Sequence, residues 1–344
     1  MANILDIRRR IRSVRSTRQI TRAMKMISAA RLRRAQERAL SARPYAQMLT
    51  NVLRSLVSRA EIYDPESGEP RHPLLAHRPE RNILLIVVTS DKGLAGAFST
   101  NILKAAARFL ESKPGQNVDI EAVGRKSRDY FRRRVPAGQA GEERAGRVQL
   151  VGESLGVMGL VSFAYARQMA EKVIERYTAG EWDAVYLVYN EFKSVIAQRL
   201  VVEAVLPIGE IGTQQIQQAQ ELTEEELHSH GEAARTAGVS TAVADTSVMD
   251  QRAARFATAQ VDYIYEQPPD VLFRDLLPKY VAVQFFRALL ESTAAEHAAR
   301  MTAMDAATSN ASKIIDALTL AMNRARQAKI TKEIIEIVSG AAAL

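Results

Sequence analysis

The sequence predicts an α/β protein in which an inserted domain of about five strands separates N- and C-terminal helices that pair as a long antiparallel coiled coil. Three observations carry this. A 3,4-spaced seam runs through the first 56 residues. A nearly glycine-free and wholly proline-free run extends from Tyr280 to Leu344. Between them, "NILLIVVT" (Asn82 to Thr89) is almost wholly apolar, as a strand buried on both faces of a parallel sheet must be.

The N-terminal seam starts with Ile4, Ile7, Ile11 and Val14, turns polar at Arg18, Thr21, Lys25 and Ser28, and resumes with Leu32, Ala35, Ala39, Ala42, Ala46, Leu49, Leu53 and Leu56. Ile20, Met24 and Ile27 are expected to carry the apolar surface across the polar gap on a neighbouring face. Pro44 is the one local objection, since an interior proline costs a helix about 3 kcal/mol.

The middle region reads as a Rossmann-like α/β domain. "NILLIVVT" is followed by a helix from Ser99 to Ser112 and by strands "VDIEAVG" and "RVQLVGE". A helix from about Leu160 to Tyr177 leads to "WDAVYLVYNEF" and "AQRLVVEAVLPI", two strands joined at Lys193/Ser194. From Glu210 to Pro268 ten acids face three arginines, a local −7. "TQQIQQAQELTEEELHSHGEAARTAG" has a helix-friendly composition but few large apolar residues, and the following "VSTAVADTSVMDQRAARFATAQ" shows no firm strand period, so the part from about Glu210 to Ala259 is expected to lie outside the core.

After "QPPD" Asp270 can cap the last helix, with a break expected at Pro278 before the main run. Its seam reads Met301, Met304, Thr308, Ala311, Ile315, Leu318, Met322 and Ala325, then gives way to Lys329, Lys332 and Glu336, with a second line of Ile330, Ile334 and Ile337. Sparse, Ala-rich seams favour close antiparallel pairing. The resulting division is 1–60 for the first helix, 61–209 for the α/β domain, 210–268 for an acidic insertion and linker, and 269–344 for the last helix.

Composition narrows the function classes. With 344 residues and 47 % hydrophobic residues the chain can bury a sizeable core. No cysteine is present, so thiol catalysis, disulfides and thiol switching are excluded. The start of the chain lacks the apolar stretch of a signal peptide, and no apolar run approaches the roughly 20 residues of a membrane span, so a soluble or peripheral protein is expected. The net charge of +8 is unevenly spread: Met1 to Ala60 holds 15 Arg or Lys against Asp6 and Glu37, a local +13.

The stretch "TSDKGLAGAFSTNI" (Thr89 to Ile102) raises the question of nucleotide binding. Only Gly93 and Gly96 match a dinucleotide fingerprint, the second strand ends "AVGRKS" without an acid, and Lys92 precedes the glycines instead of following them. A tight strand-to-helix turn capped by Ser99 is the plainer reading. His228 and His230 read as a solvated pair, and no catalytic constellation appears elsewhere. A nucleic-acid-binding coiled coil and a nucleotide-dependent enzyme stand as alternatives. The first is weakened because Tyr45 is the sole aromatic among the first 60 residues.

"ILDIRRRIRSVRSTRQITRAMKMISAARLRRAQ", "TSDKGLAGAFSTNI" and "RMTAMDAATSNASKIIDALTLAMNRARQAKITKEIIEIVSGAAAL" together resemble the gamma subunits of F-type ATP synthases over nearly the whole chain. The resemblance implies a non-catalytic central stalk without a cofactor. It would be surrounded by alpha and beta subunits, with the epsilon subunit and the c-ring at its foot, peripheral on the cytoplasmic face of the bacterial inner membrane. By the same resemblance Arg9, Arg10, Met24, Lys25, Arg300, Gln327, Thr331 and Glu336 would contact the catalytic ring. Tyr263, Tyr265 and Glu266 in "DYIYEQPPD" would lie near the membrane ring and epsilon. The turn at Gly93 would then belong to a domain that binds no nucleotide.

Overall fold

A computed structural model describes residues 4–57, 70–138, 146–242 and 266–342. Helix α1 (Ile4–Val57) is 54 residues long, about 80 Å at 1.5 Å per residue. The α/β domain follows with β1 (Asn82–Val88), α2 (Phe98–Ser112), β2 (Asn117–Val123), α3 (Arg125–Phe131), β3 (Val148–Ser154), α4 (Phe163–Thr178), β4 (Ala184–Phe192) and β5 (Gln198–Leu206). Strand β6 (Gln215–Glu221) and helix α5 (Glu224–Ala237) precede the last helix, α6 (Pro269–Ala342), of 74 residues.

Neither interior proline breaks its helix. α1 runs through Pro44 and α6 through Pro278, where a break was expected. Each ring removes one N–H bond, but around Pro278 the side chains of Phe273, Leu277, Tyr280 and Val281 are buried, and their packing outweighs the local cost. From the sequence α6 is expected to begin behind a cap at Asp270. The helix starts one residue earlier with Pro269, whose fixed φ and missing N–H suit a first helical position.

The two long helices pair antiparallel. Ile7 and Ile11 share a small cluster with Ile315, bordered by Val14, Leu318, Met322 and Ala325. Lower down, Leu32 and Ala35 join Ala294, Ala295, Ala298 and Met301 in one core, and Leu49, Leu53 and Leu56 join Phe273, Leu277 and Tyr280 in the other. The polar gap is bridged by the seam residues themselves. Thr21 Oγ1 meets Thr308 Oγ1 at 2.7 Å, and Lys25 Nζ donates to Asp305 Oδ1 at 2.6 Å. Ile20 and Ile27 were expected to bridge it, yet they are 57 % and 54 % exposed. Each precedes a seam position by one residue, and 100° of helical rotation turns it outward.

Ile315 seals the upper cluster. Ile315→Ala is expected to cost about 2 kcal/mol in urea unfolding, the low end for such a truncation because its half-buried neighbours can close in. Leu318→Ala should cost less, since that side chain is only half-buried.

Among the described residues the sheet has six strands, one more than the about five expected, in the order β3-β2-β1-β4-β5-β6. β1 to β4 run parallel, and β5 and β6 are antiparallel additions. The extra strand lies in the acidic segment expected outside the core. "QIQQAQE" has no apolar alternation because it is an exposed edge strand held by backbone pairing with β5. Helix α5 begins with a Thr223/Glu226 capping box, packs on α6 and α1, and buries His230, Ala233, Ala234 and Ala237. β6 thus lies outside the core as expected, though as a strand where the composition favoured a helix, while α5 enters the core; residues 243–265 fall outside the described part. His228 is exposed, but His230 is not the solvated partner expected: burial pushes its pKa down and its ring sits 3.3 Å from the Gln198 amide.

Candidate contact surfaces and the glycine turn

β1 ends beneath the turn that resembled a phosphate loop. Thr89 and Ser90 are buried, and Leu94 and Gly96 take positive φ values of 65° and 55°. Ser99 does not cap α2. It lies inside the first turn and meets the Ser90 hydroxyl at 2.7 Å, while Ala97 occupies the cap position without a side-chain bond. Asp91 Oδ1 accepts from the backbone N–H of Arg125, the first residue of α3, at 3.1 Å and from that of Gly156 at 3.2 Å. A helix N-terminus is where an anion's oxygen would sit, and a carboxylate of the chain itself takes that role. Gly124, at φ 93°, permits this closeness, since a Cβ there would lie 2.2 Å from the Thr89 carbonyl oxygen.

From the other side α6 closes on the turn. The Arg300 guanidinium donates to the carbonyls of Lys92 and Gly93 at 3.3 to 3.4 Å, and Gly96 faces Ala303. Arg300 is 7 % exposed and pairs with Glu296, 4 % exposed, at 2.5 Å. Burial raises the Glu296 pKa, and Arg300 opposes that rise. His297, between them in sequence, is pushed down to about 4 by burial and by Arg300 and Arg31, so its ring is neutral at physiological pH. The turn as folded joins the α/β domain to the shaft.

The residues proposed for partner contacts divide into two groups. Arg300 and Lys25 are committed inside the chain. Lys25 Nζ, buried on α1, links Asp305 on α6 and Thr236 Oγ1 on α5, each at 2.6 Å. Arg33 adds a bond of 2.5 Å to the Gly238 carbonyl at the end of α5. Arg9 and Arg10 are exposed, and Arg9 stands 3.8 Å from an equally exposed Asp6, a contact worth little in water. Met24 is half-buried. Gln327, Thr331 and Glu336 are exposed on α6, Glu336 loosely paired with Lys332 at 3.4 Å. Glu266 is exposed ahead of α6, and Tyr263 and Tyr265 lie outside the described residues.

The upper end of α6 has a distinct character. From 326 to 339 every residue is exposed, including Ile330, Ile334, Ile335, Ile337 and Val338, because α1 no longer covers it. Sequence reasoning missed Glu296, Asp305, Arg287 and Glu291. Two pairs carried a signal, the i,i+4 spacings of Glu296 with Arg300 and of Arg287 with Glu291. Among the described residues no His, Asp and Glu cluster is placed to hold a metal, and no helix is long and apolar enough to cross a membrane.

A double-helical shaft with one bare apolar end and an α/β domain clasped to its side defines a class of elongated axial subunit. The ATP synthase family model matches residues 3–344, and the chain belongs to the ATP synthase gamma-chain family. The ATP synthase gamma chain of Solibacter usitatus is 48 % identical over 343 residues, covering 100 % of this chain and 99 % of that one. That of Pelotomaculum thermopropionicum is 42 % identical over 344 residues, covering 100 % of both. Among solved structures, a chain of the Euglena gracilis mitochondrial ATP synthase OSCP/F1/c-ring assembly shares the fold with a TM-score of 0.55 at 17 % identity, covering 99 % of this chain and 94 % of its own.

Proposed function

We propose that the chain is the central rotor of an F-type ATP synthase, coupling ion-driven rotation of a membrane ring to ATP synthesis or hydrolysis in a surrounding alpha/beta hexamer, without catalysing either itself. The bare tip of α6 carries this reading. Its isoleucines suit a low-friction bearing inside a sleeve, while Gln327, Thr331 and Glu336, with Arg9, Arg10 and Met24 lower down, offer handles for successive catalytic subunits. Lys25 and Arg300 would act from within, keeping those handles at fixed angles. An asymmetric shaft holds the three catalytic sites in different conformations by presenting a different face to each. The foot, near Tyr263, Tyr265 and Glu266, would meet the epsilon subunit and the c-ring, with the complex peripheral on the cytoplasmic face of the bacterial inner membrane.

Co-expression with the alpha and beta subunits of the same organism tests this. The chain should co-purify as one copy per hexamer and raise ATP hydrolysis well above that of alpha and beta alone. Removing 326–344 should keep the globular domain folded and lower that stimulation at least tenfold. Full stimulation by the truncated chain would end the bearing-and-handle reading.

The acidic segment supports a second role, as a brace that tunes hydrolysis. The clasp from Lys25 and Arg33 onto Thr236 and Gly238 favours it. Thr236→Val should leave assembly intact and change ATPase activity or its latency; unchanged activity and latency across ionic strengths would sink the role.

A further inference from the structure

The seam opens below the waist, between Ala39 and Arg54 of α1 and Tyr280 and Glu291 of α6. Two cavities adjoin there. The first, of about 310 Å³, is walled mainly by Ala42, Ala46, Phe163, Val283, Phe286 and Leu290. Phe163 and Phe286 meet edge to face with ring centres 5.5 Å apart, so α4 closes one side with aromatic surface. The second cavity, of about 520 Å³, has mixed polar and apolar walls, and its four charged side chains are all cations: Arg43, Arg54, Lys193 and Arg287.

Arg43, Ala46, Val283 and Arg287 line both cavities, which therefore adjoin, a mainly apolar end beside a basic end. The basic end has donor capacity to spare. Arg287 gives one nitrogen to the Glu203 carboxylate at 2.8 and 3.1 Å, while its Nε is buried with no partner. Arg54 commits its Nε to the Ile211 carbonyl at 2.9 Å, and Thr50 and Asn51 stand beside it. Glu203 and Glu191 already stand against Arg287 and Lys193, so the pull of this end on an anion comes mainly from Arg43 and Arg54. Glu291 lies at the dry end with Oε2 buried and unpartnered, a carboxyl that burial pushes up to about 7, so near neutral pH it is in large part an un-ionised donor.

We infer that this space binds a free amphipathic anion, its apolar tail between Phe163, Phe286 and Leu290 and its carboxylate or phosphate head on Arg43, Arg54 and Arg287. The dry end, of about 310 Å³, lies at the small end of ligand pockets and suits a short alkyl tail. A head-only anion forgoes the apolar wall, and a neutral tail forgoes the cations. The two ends together therefore select a molecule that has both.

Titration calorimetry on the full chain tests the assignment with decanoate below its micellar concentration, decanol and inorganic phosphate as probes. Decanoate should bind at least tenfold more tightly than either of the others. Arg43→Gln should weaken decanoate at least tenfold, and Ala46→Phe, which fills the dry end, should remove binding. Both variants should keep the parent's circular dichroism. Should Ala46→Phe not fold, Ala42→Leu narrows the same cavity and should weaken decanoate in proportion. Equal affinity for the three probes, or undiminished decanoate binding by Arg43→Gln, overturns the inference. Phosphatidylglycerol vesicles separate the sources of the head group. They should not retain the chain, and Arg43-dependent sedimentation with them overturns the assignment to a free amphiphile.

Discussion

Arg300→Met is expected to destabilise the chain by about 3–5 kcal/mol at neutral pH, the usual cost of removing one partner from a buried ion pair. Glu296 would be left 4 % exposed with its 2.5 Å partner gone. Burial already raises the Glu296 pKa while Arg300 holds it down, so the substitution moves it further up. The sign follows: an acid whose folded pKa is raised opposes folding more as pH climbs, so the loss should be larger at pH 8 than at pH 5. Adding Glu296→Gln should recover most of the stability, because an amide carries no buried charge. The single substitution also frees the carbonyls of Lys92 and Gly93, so hydrogen exchange should quicken in the turn before α2. Failure of the second substitution to rescue the first would show that the pair's charge is not what holds the joint.

Glu291→Gln is expected to act in the opposite direction. Burial is the main cause that lifts this carboxyl to about 7, with Glu191 and Glu203 adding to the rise and Arg287 and Arg43 opposing it. The unfolded chain ionises near 4.5, so the folded state carries no penalty below that value, an increasing one up to about 7, and the full one above. The amide should therefore match the parent at pH 4.5 and exceed it at pH 8 by about 1–3 kcal/mol, the upper figure being softened by partial exposure of the side chain. Equal stability at both pH values would mean that Glu291 finds a partner which the static arrangement lacks.

The long helices and the parallel strands were legible because their signals are periodic and apolar: the stripe from Leu32 to Leu56, and "NILLIVV" with six of seven residues buried. What escaped depends on neighbours far along the chain. β6 is polar because an edge strand needs only β5's backbone, and the break expected at Pro278 yields to tertiary packing that no local rule contains. Lys25 and Arg300 look on paper like solvent-facing handles. The partners of Lys25, Asp305 and Thr236, lie 280 and 211 residues away in sequence, and the Lys92 and Gly93 carbonyls that Arg300 holds lie 208 and 207 away, so only the fold could show that they point inward.

The Thr21–Thr308 and Lys25–Asp305 bridges do more than fill a gap. An alanine-rich seam by itself is nearly indifferent to sliding, since one small side chain replaces another. A slip of one heptad would set Lys25 against Ser312 or Ala298, in either case without its acid; Asp305 would face Leu32 in the first and Arg18 in the second. The two bridges thus act as a vernier mark: they fix the axial offset of two helices that hydrophobicity alone would leave free to creep, and with it how far α6 projects beyond α1. The reach of the shaft is calibrated at its middle, not at its end.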